Sequence, residues 1–151
     1  MVEPAPVRRT LGFLLHDTSR MMRRRFVQRA REEGLPLSRS EASVLLQVAD
    51  EQGISQATLA TRLEIEPIAL VRLLDGLQQS SLIERRLHPT DRRVRTVWLT
   101  PRAEPVLRHV RAITGAVRRE AVAGLPPAEV EMLTDLLLAI RANLAAVAET
   151  A

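Results

Sequence analysis

The chain has 151 residues, 46% of them hydrophobic, and no apolar run as long as a membrane span, so we expect one cytoplasmic domain with its own core and no membrane partner. It contains no cysteine, which excludes disulfides, thiolate metal sites and thiol redox switches. The formal net charge is +4 and all 22 basic residues are arginine, with clusters at residues 23–25, 85–86 and 92–95.

Two helices are predicted at the start of the chain. The first runs from about Thr10 to Arg31 and ends at Gly34 and Pro36. One face of this helix carries Leu11, Leu15, Thr18, Met22 and Phe26 at steps of four and three. The second begins at one of the N-cap candidates in residues 38–40, and Gly53 ends it. Its predicted buried face is Ala42, Leu45, Leu46 and Ala49.

Two shorter helices follow, separated by a break at residues 64–67. The third opens at Ser55, and its buried residues are expected to be Leu59 and Leu63. The fourth opens at Glu66, with Pro67 in the first turn, where the missing N–H costs nothing. Its predicted inner face is Val71, Leu74 and Leu77. This order of elements is typical of a helix-turn-helix.

A β-hairpin is predicted from Ile83 to Thr100. Val97 and Leu99 alternate with Thr96 and Trp98, and Pro89 with Thr90 marks the turn. The tip carries Asp91, Arg92 and Arg93. A basic hairpin directly after a helix-turn-helix indicates a DNA-binding arrangement.

Two long helices complete the chain. Thr100 is expected to cap the fifth, which is closed by Gly124 and the prolines at 126 and 127, and whose inner face is Val106, Val110, Ile113 and Val117. The sixth repeats apolar residues at steps of three and four, namely Val130, Leu133, Leu137, Ile140, Leu144 and Val147.

The stripe on the sixth helix either packs within its own domain or forms a subunit interface. Leu136 and Ala139 widen it beyond what one neighbouring helix would cover, so we favour the interface. The first helix is its expected companion, with residues 1–7 lying across a neighbour. The predicted dimer contacts are Leu11, Leu15, Leu133, Leu136, Leu137, Ile140, Leu144 and Val147.

The run DRRVRTVWLT, preceded by LIERR and the helix-turn-helix, resembles the winged-helix regulators of the MarR family over essentially the whole chain. IEPIALVRLLDGL and LTPRAEPVL are similar to the SlyA-type branch. The resemblance implies a mainly α fold with a small β-hairpin wing. It also implies a single domain in which residues 1–36 and 101–151 form a helical dimerisation body and residues 37–100 form a winged helix-turn-helix lobe.

The resemblance further implies a homodimeric transcriptional regulator that binds a pseudo-palindromic site on double-stranded DNA. The fourth helix would lie in the major groove, with Arg72 as the first candidate for a base or phosphate contact and with Glu66, Pro67, Ile68 and Ala69 beside it. The wing would enter the minor groove through Arg93, or else Arg92, with Asp91 paired to one of them. Phosphate contacts are expected near helix starts, from Ser38, Arg39, Gln56 and Thr58.

A small aromatic or amphipathic acid is the implied effector, and His16 and Arg20, one turn apart, are candidates for its pocket. Several of these residues have simpler explanations: the tip could be a solvated ion pair, and Arg72 a solvent-facing helix position. The alternative function is a winged-helix module that binds a protein and no DNA. An enzyme is not expected, because three dispersed histidines and no glycine-rich loop leave too few groups for catalysis, and we expect no cofactor or metal ion.

Overall fold

The computed structural model describes residues 9–149, which fall into two compact units divided between Val117 and Arg118. The helices are α1 (Leu11–Glu32), α2 (Arg39–Asp50), α3 (Gln56–Leu63), α4 (Pro67–Gln79), α5 (Ala103–Ala121) and α6 (Pro127–Glu149). The strands are β1 (Ile54–Ser55), β2 (Ile83–Leu87) and β3 (Arg95–Leu99). The expected fold class, mainly helical with a hairpin wing, is confirmed. The expectation for residues 1–7 lies outside the described residues.

The starts of the first helices are fixed by side-chain caps. Thr10 caps α1 by accepting from the Phe13 N–H at 3.4 Å. Ser38 and Glu41 form a reciprocal capping box at α2, in which the Ser38 hydroxyl accepts from the Glu41 N–H and the Glu41 carboxylate accepts from the Ser38 N–H. Ser55 caps α3 by accepting from the Thr58 N–H at 3.0 Å. These caps place each helix start within a residue or two of its prediction.

The turn between α3 and α4 is made by Glu64 in the left-handed conformation, with φ +51°. Pro67 occupies the first turn of α4, as predicted. The predicted inner face of α4 is partly wrong, because Val71 is exposed and Leu70 is buried with Leu74 and Leu77. At 100° per residue, residues 70, 74 and 77 span about 60° of the helix surface, whereas residues 71, 74 and 77 span about 120°. The narrower set faces the core.

The sheet has three strands in the order β1-β3-β2, all antiparallel. β1 was not predicted from the sequence, because a strand of two residues is too short to show an alternating pattern. The predicted alternation in β3 is also wrong at Thr96, which is only 4% exposed. Its hydroxyl donates to the Arg86 carbonyl and accepts from the Trp98 indole N–H at 3.0 Å, which satisfies both groups.

The main core of the first unit lies between α2, α3, α4, the sheet and the start of α5, and its fully buried side chains include Leu45, Leu59, Leu74, Ile83 and Leu107. A second cluster joins Ala30 of α1 and Leu35 to Val110 and Ile113 of α5. Thr100 does not cap α5, which begins three residues later; its hydroxyl donates to the Ser81 carbonyl at 2.6 Å.

The second unit consists of the end of α5 and α6. Most of the large apolar side chains of α6 are exposed, among them Met132, Leu133, Leu136, Leu137, Leu138, Leu144 and Val147. None of the helices within residues 9–149 combines the length and the apolar character that crossing a membrane requires.

Candidate nucleic-acid interface

The tip of the hairpin is organised around Asp91. Its carboxylate accepts from the Arg93 backbone N–H at 3.0 Å and from the Arg93 side-chain Nε at 3.2 Å and Nη2 at 3.3 Å. These hydrogen bonds from Arg93, side chain first and backbone second, lower the pKa of Asp91 below its ordinary value. The Arg93 side chain is nevertheless 90% exposed, and Arg92 is exposed beside it. The tip therefore presents two guanidinium groups to solvent on a fixed turn.

The amino-terminal end of α4 presents a second exposed surface. Glu66 is the N-cap residue, and its side chain makes no capping hydrogen bond. The exposed residues of the first two turns are Pro67, Ile68, Ala69, Val71 and Arg72. All predicted contacts on this helix are thus placed where a partner can reach them.

Arg85 joins the wing to α4. From β2, its Nη2 donates to the Asp75 carboxylate at 2.6 Å and its Nε donates to the side-chain Oε1 of Gln78 at 2.7 Å. The pair Arg85–Asp75 is partly shielded, with side chains 24% and 49% exposed. It fixes the strand against the second half of the helix.

A polar cleft of about 340 Å³ lies between the helices and the wing, lined by Gln56, Gln78, Arg85 and Arg95. Of these four residues, only Gln56 was predicted from the sequence as a DNA contact. In the strand register, Arg85 is opposite Val97 and Leu87 is opposite Arg95, so both arginines lie on one face of the hairpin. The arginine clusters were visible in the sequence, but this shared face needs the register.

The other predicted phosphate contacts stand at helix starts. Ser38 and Arg39 open α2, and Ser38 is engaged in the capping box. Gln56 opens α3, and the Thr58 hydroxyl lies 2.8 Å from that of Ser55. Arg39 and Thr58 are exposed.

The predicted effector residues His16 and Arg20 line one cavity of about 360 Å³, together with Arg23, Arg24, Val27 and Arg39. Arg20 is paired with Asp17, and Arg23 donates to the Ser19 hydroxyl at 2.8 Å. The structure thus brings together the two predicted residues and adds three arginines. Arg39 comes from α2, which the sequence could not place beside α1.

A smaller, mainly apolar cavity of about 210 Å³ adjoins this one, since Arg23 and Arg39 line both. Its remaining lining comprises Met22, Phe26, Ala42, Ser43, Leu46, Thr114 and Val117. Burial, and then the positive charge of Arg23, lower the pKa of Arg39 below its ordinary value. Because the positive charges of Arg23 and Arg39 lie at one mainly apolar cavity, binding of an anion there would reduce their mutual repulsion.

Known proteins resemble this chain in sequence and fold. The MarR family matches residues 37–94. The solved structure of the transcriptional regulator PA3341 is 34% identical, with a TM-score of 0.77 over 89% of this chain and 98% of that one. Wild-type MarR from E. coli in its apo form is 25% identical, with a TM-score of 0.76 over 87% and 96% of the two chains.

BpsR from Bordetella bronchiseptica, whose DNA binding is regulated by 6-hydroxynicotinic acid, has the same fold. It is 21% identical, with a TM-score of 0.76 over 92% of this chain and 98% of that one. The family match includes α2, α3, α4 and the hairpin tip, and the likeness to PA3341 extends over nearly all of that regulator. The chain therefore belongs to the MarR family of DNA-binding transcriptional regulators.

Proposed function

We propose that the chain acts as a homodimer that binds a pseudo-palindromic DNA site and whose DNA affinity is changed by a small aromatic or amphipathic acid. The observation that carries the proposal is the hairpin tip, where an exposed Arg93 is held by Asp91 on a wing that Arg85 ties to α4. A guanidinium fixed in this way loses little conformational freedom on entering a groove.

In the proposed complex α4 lies in the major groove and the wing enters the flanking minor groove. Arg93 is the proposed minor-groove residue, with Arg92 as the alternative, because narrow A·T-rich grooves carry an enhanced negative potential. Arg72 contacts a base or a phosphate from the exposed face of α4, with Glu66, Pro67, Ile68 and Ala69 nearest the bases.

The DNA backbone between the two grooves would run past the polar cleft. We assign Gln56 and Arg95 to a phosphate there, since Arg95 is exposed and Arg85 is already paired with Asp75. Ser38, Arg39 and Thr58 provide further phosphate contacts at the starts of α2 and α3, where main-chain N–H groups point outward.

The homodimer is supported by exposed apolar side chains. Leu136, Leu144 and Val147 of α6 are 56%, 68% and 66% exposed, and Leu11 of α1 is 56% exposed. So many exposed leucines on one helix support a subunit interface, because a large apolar patch is unfavourable in water. The remaining proposed contacts are Leu15, Leu133, Leu137 and Ile140.

The two adjoining cavities support the proposed effector class. An aromatic ring would fill the apolar cavity beside Phe26, and its carboxylate would lie between Arg23 and Arg39. His16 and Arg20 line the polar cavity next to it. Regulation of BpsR by 6-hydroxynicotinic acid is a precedent for such an acid on this fold.

A binding titration tests the DNA proposal. Fragments selected by the purified protein from a random DNA pool are titrated with the wild type and with Arg93→Glu and Arg72→Glu. We expect each reversal to weaken binding at least tenfold and to reduce the salt dependence of the affinity. Arg111→Glu, an exposed arginine of α5, is the matched control and should change affinity little.

Equal affinity of all four proteins for DNA would contradict the proposed contacts. Failure of the wild type to select any DNA would favour a module that binds another protein. For the effector, calorimetry with phenolic acids should give different affinities with and without the selected DNA, because linkage makes the coupling reciprocal.

A further inference from the structure

The exposed end of α4 carries an apolar pair. Ile68 is 74% exposed and Val71 is 39% exposed, and their spacing of three residues puts them on one side of the helix. Leu70 and Leu74, at 1% and 0% exposure, lie on the adjacent side of the helix and pack into the core. The packing of the helix therefore points Ile68 outward and leaves Val71 partly accessible beside it.

The amino-terminal residues of a recognition helix are the ones that meet base edges. In this chain the exposed residues there are Pro67, Ile68, Ala69, Val71 and Arg72. Of these five side chains only that of Arg72 can form hydrogen bonds. The N-cap residue Glu66 adds a carboxylate that can only accept, so few hydrogen-bonding side chains are available for base selection at this end of α4.

The major groove offers one apolar group, the C5-methyl group of thymine. We infer that Ile68 and Val71 select the DNA site by packing against thymine methyl groups, an inference that rests on the proposed placement of α4 in the major groove. Arg72, one turn from Ile68, supplies an adjacent positive charge, and the hairpin tip adds Arg92 and Arg93. In the major groove the apolar pair would contact methyl groups while the arginines contact the phosphates on either side. An apolar protein surface would leave the arginines without such partners.

Deoxyuridine provides the direct test, because it lacks the C5-methyl group and keeps the pairing edge of thymidine. Each thymidine of a selected binding site is replaced singly, and affinities are measured by fluorescence anisotropy for the wild type and Ile68→Ala. Loss of one buried methyl corresponds to about a fourfold loss of affinity. We expect this loss for the wild type at one or two positions in each half-site, and a much smaller loss at those positions for Ile68→Ala.

The matched control is Leu87→Ala, which removes an exposed apolar side chain of β2 and should keep the wild-type pattern of deoxyuridine losses. Val71→Ala should remove the loss at a neighbouring position. Because the substituted side chains are exposed, all variants should fold, which circular dichroism verifies.

The outcomes separate this inference from the proposed function. Tight, sequence-selective binding that no deoxyuridine substitution weakens would overturn the methyl readout, but it would not contradict the proposed DNA-binding function. The methyl readout would also be overturned if Ile68→Ala lost as much affinity as the wild type on each deoxyuridine substitution. Absence of any selected DNA would overturn both proposals.

Discussion

The Arg85 guanidinium of β2 and the Asp75 carboxylate of α4 lie 2.6 Å apart, and this ion pair links the wing to the helix proposed to read the bases. Because both side chains are partly exposed, the pair should be worth only about 0.5–1 kcal/mol. A double-mutant cycle with Asp75→Ala and Arg85→Ala, followed by urea unfolding, should give a coupling energy in this range. The more exposed pair Glu104–Arg108 of α5 is the control and should give a coupling near zero.

Gly53 has no room for a side chain. Its φ is +83°, and an added Cβ would lie 2.6 Å from Cζ2 of Trp98. Backbone strain and overlap with a half-buried ring together should make Gly53→Ala less stable by about 2–4 kcal/mol in urea unfolding. Gly34, at φ +68° with nothing within 4 Å of its added Cβ, isolates the backbone part. A loss at Gly34→Ala as large as that at Gly53→Ala would show that Trp98 makes no difference.

Asp91 gives a prediction about pH. Since its folded-state pKa is lowered, the tip contact is complete above the ordinary aspartate pKa and is lost as the pH falls through the lowered value. We therefore expect the tip to be unchanged between about pH 5 and pH 8. In an NMR titration of the carboxyl carbon, Arg93→Gln should raise the pKa of Asp91 and Arg92→Gln should leave it. The opposite pattern would mean that Arg92 is the partner.

The effector cavity predicts a difference between neighbouring arginines. Arg39 lines both the apolar and the polar cavity, whereas Arg24 lines only the polar one. Loss of a charge-assisted hydrogen bond should make Arg39→Gln bind 4-hydroxybenzoate about tenfold more weakly by calorimetry. Arg24→Gln should have a clearly smaller effect. If the two variants lost affinity equally, the carboxylate would have been assigned to the wrong place.

The homodimer is tested by placing charge on α6. Leu136→Glu and Leu144→Glu should turn a dimer into a monomer in light scattering at micromolar concentration, because an unpaired carboxylate would be buried at the interface. Leu87→Glu changes a similarly exposed leucine, 49% exposed, on β2 and should leave the mass unchanged. A monomeric wild type would contradict the proposal outright.

The sequence predicted the helix order and the hairpin because caps, breakers and apolar periods are local signals. Ser38, Ser55 and Pro67 stand at helix starts as expected. The errors concern burial, at positions where tertiary packing decides which side chain faces the core. Val71 and Leu70 both suit a helical period, and only the core selects Leu70. Thr96 is buried because Trp98 and Arg86 supply its hydrogen bonds, which no pattern reveals.

The candidate site was predictable in part. The motif DRR and the opening of α4 were visible in the sequence, and the structure places Arg92, Arg93 and the first residues of α4 at the surface. The cleft with Arg95 and the meeting of Arg39 with Arg23 were not predictable, because each depends on elements far apart in sequence. The proximity of His16 and Arg20 follows from the period of α1 alone. The cavity that they line also needs Arg39 of α2, which the sequence could not place there.

Ser55 belongs at once to β1, which pairs with β3 through Thr96, and to the cap of α3. The wing is thus connected to the start of α3 through β1 and to α4 through Arg85. Bending the hairpin away from α4 would break both the β1–β3 pairing and the Arg85–Asp75 pair. We therefore expect a ligand that weakens DNA binding to move α4 and the wing together more readily than to separate them.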